Sequence, residues 1–475
     1  MPVGLIVSTA TLPGSTNETP ESGRLIVAAI TGKGPAAPSV VRSISHYASV
    51  YGARTMATAA VFDNLETFFG EGGGEAVISR VFGPGAAGDS IVLKDTTPVT
   101  PADAIRLTAK ALGGSSGVEA EVSATGLTLS VDGVKRETYP ATGVLDLLAL
   151  LGDSVLVNAV YIGTGEATNA VTLAQGIFPL AGGSDDAAEA TTADYATAIS
   201  RAVAESPGAA VSAPGHYPGA AGLATLADAA NGHLLLTATA RGEGPTASGW
   251  AANEPGALSR PNCLGAWPWV RIPDGDRTKL TSPEGYLGAI RARAHERVGP
   301  WQVPAGAYSA ARYIVGLAEE VPTPSDFELL SRLNPITNDR GRITLGDYRA
   351  ATSTMDSVTM GSEADLMASL ISMLSDSLIP FNFETVDSNG HLFSKMISAC
   401  ESVLAPLAAA GGLYGRPGTG GGAGDPGYVV TIDASNNPPE QLAQNVVHVS
   451  VGVRLSPTAR LIDLKIIRVP LNGAL

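Results

Sequence analysis

The sequence predicts an α/β chain interrupted by a small β-rich insertion. Three observations carry that prediction. Short apolar runs alternate with amphipathic helical stretches over residues 21–83, and again from Thr191 onward. Between them the texture changes to alternating stretches parted by Gly113-Gly114, Thr125-Gly126 and Asp132-Gly133. The bounds of that middle part, Pro84-Gly85 and Ala181-Gly182-Gly183-Ser184, have the composition of an insertion boundary.

Composition narrows the class. At about 150 residues per domain, 475 residues suggest roughly three domains. The 44% hydrophobic content is too high for a disordered chain. With 56 Gly and 32 Pro and no collagen period, turns must be frequent. No uninterrupted apolar run approaches the ~18 residues of a membrane span. Met1-Pro2-Val3-Gly4 lacks a basic region before its apolar stretch, so no signal peptide is expected. Cys263 and Cys400 are too few for a disulfide framework or a zinc site, and are expected as buried thiols of a chain made in a reducing cytosol. A net charge of −15 without Lys/Arg clusters argues against nucleic-acid binding.

Residues 1–20 are polar and turn-rich around one apolar patch, Leu5, Ile6 and Val7, which cannot bury itself and so needs a partner. Arg24–Thr31 reads as a strand, residues 40–51 and 57–69 as helices, and Glu75–Phe82 as a strand. The second helix places Val61, Phe62, Leu65, Phe68 and Phe69 on one face. In the insertion, residues 105–112, 120–123, 127–131 and 155–162 read as strands and Val144–Leu151 as a helix. Beyond Thr191, helices are expected over 195–204 and 221–230, and strands over 209–212, 234–238 and 267–272. Ser282-Pro283-Glu284 opens a helix that turns Leu287, Ile290 and Ala294 inward, with Ser282 as its cap. Two more helices follow over 364–378 and 392–409, then strands over 428–432, 447–455 and 461–469. The 447–455 strand has the clearest period of two, and the last strand changes phase between Ile466 and Ile467.

No motif yields a convincing active site. Gly113-Gly114-Ser115-Ser116-Gly117 matches the nucleophile elbow of hydrolases, but the elbow needs a following helix and Val118–Val131 reads as strands. Gly422–Gly427 matches GxGxxG, yet it precedes a strand and contains Pro426. Thr31-Gly32-Lys33-Gly34 lacks the upstream glycine of a phosphate loop. His46, His216, His233, His295, His391 and His448 show no metal-ligand spacing, and Asp185-Asp186 is expected to face water. No catalytic, cofactor or metal residue is assigned.

Two segments resemble contractile tail sheath proteins of bacteriophages. The first runs from the apolar strand through Thr31-Gly32-Lys33-Gly34-Pro35, Tyr51-Gly52-Ala53-Arg54, Phe68-Phe69 and Gly72-Gly73-Gly74 to Arg80-Val81. The second runs from Pro268-Trp269-Val270 to Gly299-Pro300-Trp301-Gln302-Val303-Pro304-Ala305-Gly306. Asn334-Pro335-Ile336 with Gly341-Arg342 and Gly346 is similar to a later family segment, and strands follow Asn436-Asn437-Pro438 as in the family. The opening Pro2-Val3-Gly4-Leu5 and Pro457-Thr458-Ala459 depart from the family pattern.

The resemblance implies an α/β (α+β) core assembled from N- and C-terminal parts of the chain, with an inserted sandwich-like domain and extended arms. The parts would be an arm 1–20, core 21–83, an outer insertion 84–184, core 185–355, a C-terminal sheath domain 356–458 and a strand arm 459–475. It implies a non-enzymatic structural subunit that forms stacked hexameric rings around a tail tube and contracts to drive the tube through the host envelope. Leu5, Ile6, Val7, Leu461, Ile462, Leu464, Ile466, Ile467 and Val469 would be the exchanged strands, by β-augmentation. Lys395 is a candidate tube-facing residue. The partners would be other copies, the tail tube, the baseplate and the tail terminator, with no cofactor, nucleic acid or membrane insertion. The particle would be a virion assembled in the host cytoplasm. Two alternatives stay open: a serine hydrolase using Ser115, and a non-contractile phage or surface binding protein with 84–184 as its recognition module.

Overall fold

The computed structural model describes residues 23–114, 116–141, 143–240, 260–319, 333–351, 360–387, 390–418 and 424–459. The expected arms, Leu5–Val7 and Leu461–Val469, and Ser115 lie outside the described residues.

The chain begins with β1 (Leu25–Ala29), β2 (Ser39–Val41), α1 (Ile44–Tyr51), α2 (Ala59–Gly70) and β3 (Ala76–Arg80). The helix expected from residue 40 therefore starts later. Val40 and Val41 pair antiparallel with β3 instead, and the Ser43 side chain caps α1 by accepting from the His46 N–H at 3.0 Å. On α2 the apolar face is as expected at Val61, Leu65 and Phe68, but Asp63, Asn64 and Thr67 are buried as well.

The insertion contains β4 (Ser90–Asp95), β5 (Ala102–Ala109), β6 (Val118–Ser123), β7 (Gly126–Val131), β8 (Val134–Tyr139), α3 (Val144–Leu151), β9 (Val157–Tyr161) and β10 (Gly176–Pro179). β4, β8 and β10 were not anticipated. They form two sheets, β4-β5-β9 and β10-β6-β7-β8, which share one hydrophobic cluster with α3. Its stem is tied down. Ala87 and Ser184 exchange N–H···O bonds of 2.8 and 2.9 Å, and the Asp89 carboxylate accepts from Ser116 and Gly183. Asp185 does not face water: it accepts from the buried Arg80 guanidinium at 2.5 Å. Arg80 also donates to Thr31 Oγ1 and the Gly34 carbonyl, so the 31–34 turn clasps an arginine.

The α/β pattern resumes with α4 (Thr192–Glu205), β11 (Ala210–Ser212), α5 (Ala220–Ala229), β12 (Leu235–Ala238), β13 (Cys263–Trp267), β14 (Val270–Asp274), β15 (Arg277–Thr281), α6 (Glu284–Arg297), β16 (Gly316–Leu317), β17 (Asn334–Asp339) and β18 (Arg342–Leu345). The single strand expected over 267–272 is two strands in different sheets, broken at Pro268, which has no N–H for a ladder. Pro283 rather than Ser282 occupies the N-cap position of α6, with no side-chain cap bond, and the Ser282 hydroxyl and carbonyl instead accept from buried Asn64 Nδ2 at 3.1 and 3.2 Å.

Eight strands form the main sheet in the order β18-β17-β13-β12-β11-β1-β3-β2. The six from β17 to β3 are parallel; β18 and β2 close the two edges antiparallel. Counted along the chain, the parallel strands run 2-1-3-4-5-6, a doubly wound order. Strands covered on both faces read as continuous apolar runs, and all of β1 is buried. Ile26 and Ala28 pack with Tyr195, Ile199 and Leu223 of α4 and α5, while Leu25 meets Phe68 and Gly288 on the other face. Gly288 and Gly285 allow this: a Cβ on Gly285 would lie 2.1 Å from the Asn64 carbonyl oxygen.

A buried ion pair supports the start of the next helix. Asp365 accepts from Arg291 Nε at 2.8 Å, with both side chains 1% exposed, and from the Tyr348 hydroxyl. Burial raises the Asp365 pKa, but Arg291 and His295 outweigh it and hold the carboxyl below its usual range.

The remaining elements are α7 (Gly361–Leu378), α8 (His391–Ala409), β19 (Tyr428–Thr431), α9 (Pro439–Leu442) and β20 (Ser450–Val453). The described residues up to Val298, with Pro304–Ala368, form one compact unit; Gly299–Val303 with the described residues from Ser369 onward form a second. The segments Gly361–Phe381 and His391–Ala409 have the length and mean hydropathy to cross a membrane. Neither is an uninterrupted apolar run, because Glu363, Asp365 and Asp376 divide the first and Lys395 and Glu401 the second.

Candidate assembly interface

The second unit has a small core and an open sheet. Leu392 and Met396 of α8 pack with Ile432 beneath β19 and β20, joined by the half-buried Leu378, Phe381, Val430, Val447 and Val449. The period-two alternation over 447–453 is kept in burial, with valines inward. The ladder is nevertheless shorter than expected, because Asn437 takes the place of a strand. Its side chain accepts from the His448 N–H at 2.6 Å and donates to the His448 carbonyl at 3.0 Å. Asn436 Nδ2 donates to the Thr431 carbonyl at 2.8 Å, so the Asn436-Asn437 pair joins the two strand ends.

β19 and β20 pair antiparallel, Tyr428 with Val453 through Thr431 with Ser450. Among the described residues neither strand has a second neighbour in a sheet. The register shows which groups are open. Arg454 N–H donates to the Gly427 carbonyl at 2.7 Å, so residues 452 and 450 exchange bonds with 429 and 431. The N–H and C=O of Val451 and Val453 therefore point to one open edge, and those of Tyr428 and Val430 to the other. A lone two-stranded ribbon is marginally stable in water, and an unpaired edge is a template for another strand. Exposed apolar residues accumulate in the same unit: Ile371, Ile379, Phe383, Val386 and Val429.

Elsewhere in this unit the Trp301 ring lies against Gly299 and Gly412, where a Cβ would come within 2.4 and 2.9 Å of it. Of the residues the sequence singled out for assembly, Lys395 alone falls among the described ones. It sits on α8, half exposed, with its ammonium 2.9 Å from the Glu384 carboxylate. The residues after Ser115 enter β6 rather than the helix a nucleophile elbow needs. His216 stacks on Tyr195, and His233 accepts from Gly208 N–H at 2.8 Å. Among the described residues no group of His, Cys, Asp and Glu is placed to hold a metal.

No protein-family model matches the sequence, and no curated protein is similar to it. Solved structures do match over nearly the full length. A chain of the contracted helical sheath of the anti-feeding prophage aligns with a TM-score of 0.53 and 13% identity, covering 98% of this chain and 99% of that one. The chain has the tail-sheath fold. A chain of the 6-fold symmetrised baseplate of the same prophage gives a TM-score of 0.54 at 13% identity, covering 98% and 99%. The crystal structure of the sheath tail protein Lin1278 from Listeria innocua gives 0.52 at 12% identity, covering 87% and 88%. The sheath fold thus spans both compact units, including the one that carries the open two-stranded sheet.

Proposed function

We propose that this chain is the structural subunit of a contractile sheath and works without an active site. The single observation that carries the reading is the β19–β20 ribbon, whose two edges have no neighbour among the described residues of a chain of sheath fold. Each edge has the form of an acceptor for a strand of a neighbouring copy. The segments 1–20 and 459–475, with Leu5–Val7 and Leu461–Val469, are the proposed donors. Head-to-tail donation of this kind does not close on itself within a dimer and builds rings and helical polymers. The copies would stack as hexameric rings around a tail tube. They would meet a baseplate and a terminator at its ends and contract while the strand links hold.

The outer position of residues 84–184 and the tube-facing role of Lys395 belong to this proposal, as do virion location and genome ejection. Electron microscopy of the purified chain tests it: rings, tubes or polysheath are expected. Deleting residues 459–475 should abolish polymers and leave a folded body. A parent chain that stays monomeric at high concentration, or a truncated one that still makes tubes, would overturn the strand-exchange reading.

A further inference from the structure

We propose that the groove between the last turns of α6 and the segment 307–312 is a binding site for a multivalent oxyanion of the phosphate class. The groove encloses about 530 Å3, and its lining includes Gly72, Arg293, Glu296, Arg297, Tyr308 and Arg312. Three arginines line it in a chain of net charge −15. Among the described residues the side chains of Arg297 and Arg312 are engaged by no carboxylate or carbonyl. Arg297 lies over the Tyr308 ring, 5.5 Å from its centroid, which orients the guanidinium without consuming its N–H groups. Arg312 spends only its backbone N–H, on Glu71, at 2.8 Å. Its Nη1 lies over Gly72, 3.3 Å from where a Cβ would sit, and Gly72 has φ +97°.

Arg293 is the inner group. Its side chain is 10% exposed; one Nη donates to the Ala310 carbonyl at 3.1 Å and the other lies 3.6 Å from Glu71. Its Nε is buried with no partner. Burial lowers the Arg293 pKa, Glu71 opposes that, and Arg312 adds to the lowering. An anion between Arg293 and Arg312 would offset their repulsion.

One acid lines the groove, Glu296, exposed at the rim. Glu71 is buried behind it, its carboxylate already held by the backbone N–H groups of Arg312, Tyr313 and Ile314. Arg297 in the last turn of α6 also complements the helix dipole, but that accounts for neither Arg312 nor the buried Nε. Several guanidinium forks approaching from different sides match a tetrahedral oxyanion better than a planar carboxylate, which one fork can satisfy.

Equilibrium dialysis of the full-length chain against radiolabelled pyrophosphate tests the site. Ionic strength is held fixed, because exposed charges are screened over about 10 Å at 0.1 M salt. Saturable uptake near one pyrophosphate per chain is expected. Arg297→Gln and Arg312→Gln should each weaken it about tenfold and their combination should remove it. Arg340→Gln, at an exposed arginine in the β17–β18 turn, should change nothing. Both lining arginines project from the surface, and circular dichroism checks that their variants stay folded. Absence of saturable uptake, or uptake that survives the double substitution, would overturn the proposal. The outcome is independent of whether the chain polymerises.

Discussion

Replacing Val451 by proline probes the open edge of β20 directly. The register leaves the N–H and C=O of Val451 and Val453 pointing away from β19, so a strand added there could make about four backbone bonds. At about 1 kcal/mol net for each, the edge is worth about 4 kcal/mol per contact. Proline at 451 deletes one donor, and its ring obstructs the neighbouring carbonyl, so roughly half is lost. About 2 kcal/mol corresponds to about a 30-fold rise in the concentration needed for assembly. The subunit itself should survive, since proline is tolerated where a strand N–H faces outward, with the unfolding free energy from urea titration changing by less than about 1 kcal/mol. Val430→Pro is the matching change on the β19 edge. Assembly is read by sedimentation across a concentration series, with electron microscopy of the pellets. If both variants are folded and both polymerise at the parental concentration, neither edge accepts a strand and the argument fails.

Three further outcomes follow from the first unit. Glu284 is buried, its pKa raised by desolvation, although bonds from Ser282, its own backbone, Tyr217 and Asn64 oppose the shift. Its native pKa lies above the unfolded one, so its contribution is complete at low pH and is lost as pH rises through the native value; Glu284→Gln should therefore flatten the loss of stability towards neutral pH in urea titrations, and an unchanged pH profile would refute this. Asp365 has the opposite sign: its contribution is present above the unfolded pKa and lost on acidification, and Asp365→Asn should cost about 3–5 kcal/mol at neutral pH by leaving Arg291 buried and uncompensated. Excising residues 88–183 and joining the ends by two glycines should keep the main sheet and polymer formation, because Ala87 and Ser184 already face each other as a hydrogen-bonded pair about 5.5 Å apart; a chain that no longer folds or assembles would contradict it.

Much of the architecture was legible because burial on both faces of a parallel strand and on one face of a helix leaves an apolar signature. β1, β3, β12 and α3 fall where the apolar runs put them. β4, β8 and β10 were missed because half-exposed insertion strands carry charge and proline, as in Val134–Tyr139 and Gly176–Pro179. The open ribbon is a different case. The alternation over 447–453 marked a strand facing a core, but no pattern in it says that the far edge lacks a neighbour among the described residues.

What the sequence by itself determined is the order of elements, the place of the insertion and the polarity of each face, since these depend on side chains close in the chain. Only the tertiary structure decided that Arg80 meets Asp185, that Arg291 meets Asp365, and that three arginines converge beside Gly72. Contacts of this kind join residues far apart in the chain, as Glu71 and Ile314, 243 positions apart. Their pairing is set by how the sheet and its helices pack, which no local period records.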